Sequence, residues 1–229
     1  AAARNLAGQG YDVALVEREA ELGGNARHIR RTLRTADVAR VLDEMIAAVE
    51  RDERITVFKN AEVREIDGFV GNFQSVIAQA PNGHGPSETT IQHGVVIVAT
   101  GAEERHTEQY LYGRDDRVLT QRELEEALAD GRYTLPERGT VVMIQCVESR
   151  TAENPYCSRV CCSQALKNAI TIKERTPEAQ VVILYRDVRS YGLRETFYRR
   201  ARDLGVLFVR YDLEPDAAGR GGLPRVEER

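Results

Sequence analysis

All four cysteines of the chain stand in one stretch, at Cys146, Cys157, Cys161 and Cys162. Thiolates bind metal ions and iron–sulfur clusters, and they act as nucleophiles where their protonation is tuned. The spacing Cys-x10-Cys-x3-Cys-Cys suits these uses unequally. Cys157 and Cys161 would share a face if both lay on one helix. Cys162 would be turned by about 100° from Cys161 on that helix. A set containing both neighbours needs irregular backbone, with the helix starting after them, or a centre with several corners. A single zinc ion prefers paired thiols roughly two to four residues apart. A cubane cluster spreads its irons and accepts neighbouring thiolates. Plain buried or reactive thiols are the third reading. The ferredoxin run Cys-x2-Cys-x2-Cys-x3-Cys is absent. Arg150 and Arg159 lie in the same stretch, and a helix from Ser163 would turn its amides toward an anionic centre.

A second set of residues suits a nucleotide. Residues 1–9 read as a helix closed by Gly10, and YDVALVE at 11–17 as a short strand ending on Glu17. A helix followed by a strand ending in an acid is the second half of a βαβ nucleotide unit, where the acid accepts from the ribose hydroxyls. The glycine fingerprint of such a unit lies about twenty residues earlier, which places it before Ala1. Gly23 and Gly24 can bring backbone close to a ligand, and the strand end Ala99-Thr100-Gly101 leaves similar room. Each has a plainer reading, as a solvated carboxylate, an ordinary turn and a strand terminus. His28, His84, His93 and His106 show no ligand spacing and read as surface. No Ser/His/Asp set, carboxylate pair or Cys-x-x-Cys motif is present.

The elements that must hold these residues alternate. An amphipathic helix is expected over 37–52, with Asp37 at its start. Three strands are expected within 55–79, a loop over 81–87, and a strand over 91–99. The run Val95 to Val98 is apolar at every position, as in a strand buried on both faces. Thr120-x-x-Glu123 is a capping box. From Val141 the pattern is strand 141–145, cysteine loop, helix 163–174, strand 181–185, helix 193–204 and strand 206–211, which implies a parallel sheet. A strand-to-helix turn normally carries glycines for a phosphate. This one has none, so hydride exchange with NAD(P) at that turn is disfavoured. With 229 residues, 42% hydrophobic and 30% charged, the chain is globular. A net charge of −4 gives no reason to expect nucleic acid, and no apolar run is long enough to span a membrane. Both termini read as cut. Without an export signal, four cysteines suit metal or redox work in a reducing cytoplasm.

The chain resembles the flavin-bearing A-type polypeptide of heterodisulfide reductase and its bacterial relatives. The resemblance rests on VERE–ELGGN at 16–25, EIDGFVGNF at 65–73, VIVATGAEE at 97–104, YLYG and RVLTQRELEE within 110–126, VVMIQCVESR at 141–150, PYCSRVCCSQALKNAI at 155–170 and LYRDVRSYGLRETFYRRARDLGVLFVRY at 184–211. It covers nearly the whole chain, and the cysteine segment is its most specific part. It implies an α/β, Rossmann-like, thioredoxin-reductase-like flavoprotein with two dinucleotide-binding-type domains. The first, 1–135, would bind FAD and carry a small β meander; the second, 136–229, would carry the cysteine site. It implies FAD contacts from Glu17, Arg18, Gly23, Gly24, Asn25, Val63, Ala99, Thr100 and Gly101. It implies that Cys146, Cys157, Cys161 and Cys162 ligate a [4Fe–4S] cluster. The expected role is cytoplasmic electron transfer in an anaerobe-type complex, with the capacity to divide electron pairs between heterodisulfide and ferredoxin. The expected partners are the other polypeptides of the complex, a hydrogenase- or dehydrogenase-type donor, and ferredoxin. The ferredoxin-type clusters of many family members are absent from this chain, and without the glycine fingerprint it is expected to bind FAD weakly or not at all. The alternatives are an ordinary NAD(P)H-dependent flavoprotein and a zinc-stapled, non-catalytic scaffold.

Overall fold

The computed structural model describes residues 1–35, 37–80, 87–132, 138–213 and 224–225. The chain forms two compact units, one of residues 1–29 and 37–104 and one of residues 30–36 and 105–229.

In the first unit, helix α1 (Ala2–Gly8) leads to strand β1 (Val13–Val16), and α2 (Val38–Glu50) leads to β2 (Ile55–Phe58). Gly10 closes α1 in a left-handed conformation, its N–H bonded to the Ala7 carbonyl at 2.9 Å. Asp37 caps α2 by accepting from the Arg40 N–H. β1 and β2 pair in parallel, Val13 opposite Ile55. Ala3, Ala7, Leu22, Val49 and Ile55 form the core beneath them. A separate antiparallel meander follows, β3 (Ala61–Phe69), β4 (Asn72–Gln79) and β5 (Ser87–His93). Of the strands expected within 55–79, the first therefore joins the parallel pair and the other two join the meander. The loop expected over 81–87 lies outside the described residues except for Ser87.

The strand expected over 91–99 is not formed beyond His93. Val95, Ile97 and Val98 are 69%, 54% and 80% exposed. An all-apolar run states that both faces want cover, but a strand also needs a hydrogen-bonded neighbour. β4 supplies that neighbour as far as His93, and no described strand pairs with residues 94–99. His93, which reads as surface from sequence, is half-buried; its Nε2 sits 2.7 Å from Ser75 Oγ and its ring stacks on Phe73.

In the second unit, β6 (Thr140–Ile144), β7 (Gln180–Tyr185) and β8 (Leu207–Arg210) form a parallel sheet in sequence order. The crossovers are α4 (Cys161–Arg175) and α5 (Glu195–Asp203). This is the half-unit of a doubly wound nucleotide fold. Met143, Ala165, Ala169, Ile172, Val181 and Ala201 meet in its core, and Leu124 and Leu128 of α3 (Gln121–Ala129) join them. The segment 105–132 therefore packs with the second unit, whereas the sequence suggests a boundary after residue 135. The capping box of α3 is formed both ways: Glu123 N–H donates to Thr120 Oγ1 at 3.2 Å and Thr120 N–H to Glu123 Oε2 at 2.7 Å. No described helix is long and apolar enough to cross a membrane.

α4 is buried along most of its length, polar residues included. Lys167 pairs with Glu125, both side chains under a tenth exposed. Glu125 Oε1 also accepts from the Arg30 and Arg31 N–H groups at 2.8 and 3.1 Å. Asn168 donates to Gln121, and Arg31 Nη1 to Thr171 Oγ1 at 3.0 Å. The buried charges thus have the partners that burial demands.

Candidate functional site

The cysteines stand where the parallel sheet of the second unit meets α4. Cys146 follows β6 closely, and Cys157 lies in the loop after it. Helix α4 begins at Cys161, not at Ser163. Cys161 and Cys162 therefore occupy its first turn, so the condition drawn from spacing, that both precede the helix, is not met. Cys157 lies outside the helix and does not share a helical face with Cys161. First-turn residues still have N–H groups free of intrahelical bonds, so the pair sits at the electropositive end of a helix of fifteen residues.

The loop between them is tightly shaped. Cys146, Glu148, Arg150 and Arg159 all have positive φ, between 49° and 61°. Left-handed backbone costs a non-glycine residue on the order of 1 kcal/mol and persists only where surroundings enforce it. Here they do. The Ser149 N–H bonds the Cys146 carbonyl at 3.2 Å. Asn154 Nδ2 donates to the Glu148 carbonyl at 3.0 Å, and Arg186 Nη1 to the Arg150 carbonyl at 2.8 Å. The Glu148 carboxylate accepts from Arg105 Nε and Thr107 Oγ1, each at 2.9 Å. Arg150 Nη2 pairs with Asp187 Oδ2 at 2.7 Å. Tyr211, at the end of β8, donates its hydroxyl to the Gln145 carbonyl.

The thiols feel one another. Burial pushes the Cys146 thiol up, Cys161 adds to that, and Arg150 opposes it. Cys161 is pushed up by its hydrogen bond with Cys162 and by burial. Cys162 is drawn down to about 7 by the same hydrogen bond, against burial. Cys162 Sγ also lies 3.7 Å from the Asp187 carbonyl, and the Arg159 N–H donates to Cys157 Sγ at 3.3 Å. Burial pushes Tyr211 up as well. Cys162, with Gln145, Leu166, Ile183, Tyr185 and Phe208, lines a small apolar recess at the carboxyl ends of the strands.

Among the described residues no three His, Cys, Asp or Glu side chains are gathered as a ready metal site. The surroundings nevertheless fit a thiolate-held anionic group. The donor set is four thiols. A guanidinium and a helix N-terminus adjoin it. Arg150 Nη1 is buried with no hydrogen-bond partner among the described residues, and so is Gln145 Oε1. Buried polar atoms left in this way are uncommon in folded proteins.

In the first unit Glu17, Arg18 and Asn25, three of the residues expected at a nucleotide, are each held by neighbouring segments. Glu17 follows β1, its Oε1 accepting from the Glu19 N–H at 3.0 Å and its carbonyl from the Ala61 N–H at 3.0 Å. Val63 is two residues further along β3, 44% exposed beside a bulge. Arg18 pairs with Glu103 at 3.5 Å, and Asn25 Nδ2 donates to the Ala102 carbonyl. The residues just after Ala99-Thr100-Gly101, namely Ala102 and Glu103, therefore meet Asn25 and Arg18. Gly23 is left-handed at φ 119°, and a Cβ there would lie 3.1 Å from Arg27 Cγ, so the turn requires glycine. Gly24 opens a short 3-10 helix with open space around it. A carboxylate at the end of a parallel strand beside a glycine turn is an arrangement that suits a ribose.

Gln145, Asp187 and Tyr211 are not identified from sequence as part of the cysteine site. Tyr211 bonds Gln145 across 66 positions, and Asp187 meets Cys162 across 25. No local pattern announces such partners.

No protein-family model matches the sequence. Curated relatives do. The iron-sulfur A polypeptide of CoB–CoM heterodisulfide reductase from Methanocaldococcus jannaschii is 30% identical over 91% of this chain and 45% of its own length. Its counterpart from Methanopyrus kandleri is 29% identical over 99% of this chain and 48% of its own. The A polypeptide of the ferredoxin/F420H2-dependent CoB–CoM heterodisulfide reductase from Methanosarcina acetivorans is 28% identical over 98% and 40%. The chain thus spans about half the length of these relatives or somewhat less. The first alignment runs to 301 positions, more than the 229 residues of this chain, so that relative carries residues inside the matched span that this chain lacks. Among solved structures, thioredoxin reductase of T. acidophilum superposes with a TM-score of 0.46 at 16% identity, over 93% of this chain and 60% of that one. An amine oxidase acting on 6-hydroxypseudooxynicotine, from Pseudomonas geniculata N1, gives 0.43 at 20%, over 93% and 28%. By its sequence the chain belongs to the family of the heterodisulfide reductase A polypeptide, as a homologue of part of that longer protein.

Proposed function

We propose that this chain is the flavin and cluster part of a heterodisulfide-reductase-like electron-transfer oxidoreductase. The observation that carries the reading is the cysteine loop. Cys146, Cys161 and Cys162, whose thiols perturb one another, lie at the end of a parallel sheet with Cys157 in the loop between them, beside a guanidinium and a helix N-terminus and without phosphate-binding glycines. Cys146, Cys157, Cys161 and Cys162 would hold a [4Fe–4S] cluster, whose contribution when bound is to take up and release single electrons. Glu17 and Arg18 would meet the ribose side of FAD, and Gly23, Gly24, Asn25, Ala99, Thr100 and Gly101 its pyrophosphate and flavin side. Val63 would offer backbone to the adenine. FAD, when bound, supplies the exchange between paired and single electrons. The chain's own task is to orient the two groups and set the charge around them. Burial of Cys162 and the apolar recess exclude water from one side of the thiols.

The names of the relatives support the partners. One is an iron-sulfur component, one is named for ferredoxin and F420H2, and one, from Methanococcus maripaludis, belongs to an H2/formate:CoB–CoM heterodisulfide, ferredoxin reductase. We assign to this chain the same setting: a cytoplasmic complex with heterodisulfide-reductase-type polypeptides, a hydrogenase- or dehydrogenase-type donor and ferredoxin. Division of electron pairs between two acceptors belongs to the same reading. The test is the composition of the full-length protein purified without oxygen. It is expected to contain FAD and at least about four iron and four sulfide per chain, one cluster's worth. Zinc in place of iron and sulfide would overturn the assignment, and reduction by NADH alone would move it to an ordinary nicotinamide flavoprotein.

A further inference from the structure

The Arg150 side chain is a fifth of the way exposed, yet its two terminal nitrogens have different fates. Nη2 is committed to Asp187 Oδ2 at 2.7 Å. Nη1 is fully covered and meets no acceptor among the described residues. A guanidinium carries five donors in a rigid fork, so fixing one arm fixes the direction of the other. The residue is also held from behind. Its carbonyl accepts from Arg186 Nη1 at 2.8 Å, and its backbone is left-handed at φ 59°. Asp187 in turn offers its carbonyl to Cys162 Sγ. The Arg150 guanidinium also lies beside Cys146. The side chain therefore links the two ends of the thiol set, Cys146 directly and Cys162 through Asp187.

Resting on the cluster reading above, we propose that Arg150 is a positioning residue whose free Nη1 donates to the thiolate-held group beside Cys146 and raises its reduction potential. The physical basis is charge. A one-electron reduction adds a negative charge to the centre, and a donor fixed beside it stabilises the reduced form more than the oxidised one. Hydrogen bonds to charged groups are stronger than neutral ones. Asp187 keeps the fork aimed.

The experiment compares the full-length protein, purified anaerobically, with its Arg150→Gln and Arg150→Lys variants. Iron and sulfide content and visible absorption are measured first, then the potential of the centre by dye-mediated titration followed by electron paramagnetic resonance. Arg150→Gln is expected to keep its iron, with the midpoint moved to more negative potential. At a fixed potential the ratio of reduced to oxidised centre should fall about tenfold. Arg150→Lys keeps a charge without the fork and should lie between the two. An unchanged midpoint in iron-replete Arg150→Gln overturns the proposal. Loss of iron from both variants while circular dichroism is unchanged would make Arg150 a clamp of the loop, which also overturns it. Absence of iron from the unaltered protein is a different outcome, since it removes the cluster reading itself.

Discussion

Cys161 and Cys162 show what a single residue can decide at this site. The hydrogen bond between their sulfurs pushes Cys161 up and draws Cys162 down, so a first charge on Cys162 is stabilised by the other thiol. Replacing Cys161 by serine leaves a hydroxyl that ionises far less readily. We expect Cys161→Ser to lose about four iron per chain and the matching share of the broad visible absorption of the full-length protein, while the far-ultraviolet spectrum is kept. Full retention of iron would show that Cys161 is not a ligand. The four thiols are legible from spacing alone, because all of them fall in one segment. What surrounds them is not. Asp187 and Tyr211 reach the loop from the ends of β7 and β8, and their side-chain types are common at any strand end. The φ values of Glu148 and Arg150 are equally hidden, since nothing in a glutamate or an arginine foretells a left-handed backbone.

At the scale of elements, short-range signals carry and long-range ones do not. The capping box at Thr120 and the alternation from β6 to β8 are written in local patterns, and both are present. Sequence puts the start of α4 at Ser163, two residues late. The actual N-cap is Val160, which offers no side-chain bond; packing of Cys162 into the core sets the boundary instead. The helix carries a second device, the Lys167–Glu125 pair. Removing one member of a buried pair leaves a charge with no partner, at a cost of about 3–5 kcal/mol. Lys167→Met should therefore lower stability by that order in urea unfolding, although methionine suits the volume. A loss below about 1 kcal/mol would mean that the pair is hydrated in solution. The strand expected at 91–99 fails for a different reason. Apolar periodicity reports the need for cover and is silent on which neighbour supplies the hydrogen bonds.

For the whole molecule, the exposed run Val95 to Val98 has a practical outcome. Apolar segments of high strand propensity with open edges pair with other copies. The 229-residue chain alone should self-associate, and Val96→Lys with Val98→Lys should raise its monomer fraction severalfold by light scattering. Equal aggregation of the double variant would clear this segment. The two compact units also interleave in sequence, since residues 30–36 leave the first and belong to the second. Arg30 and Arg31 find their acceptor on Glu125, and Arg31 reaches Thr171, 140 positions later. Chains are made from the N-terminus at roughly five to twenty residues per second. During synthesis this segment emerges from the ribosome on the order of ten seconds before its docking site exists. The first unit must assemble around a tether still waiting for its anchor, which makes residues 30–35 the natural point of chaperone capture or proteolytic loss in a nascent chain.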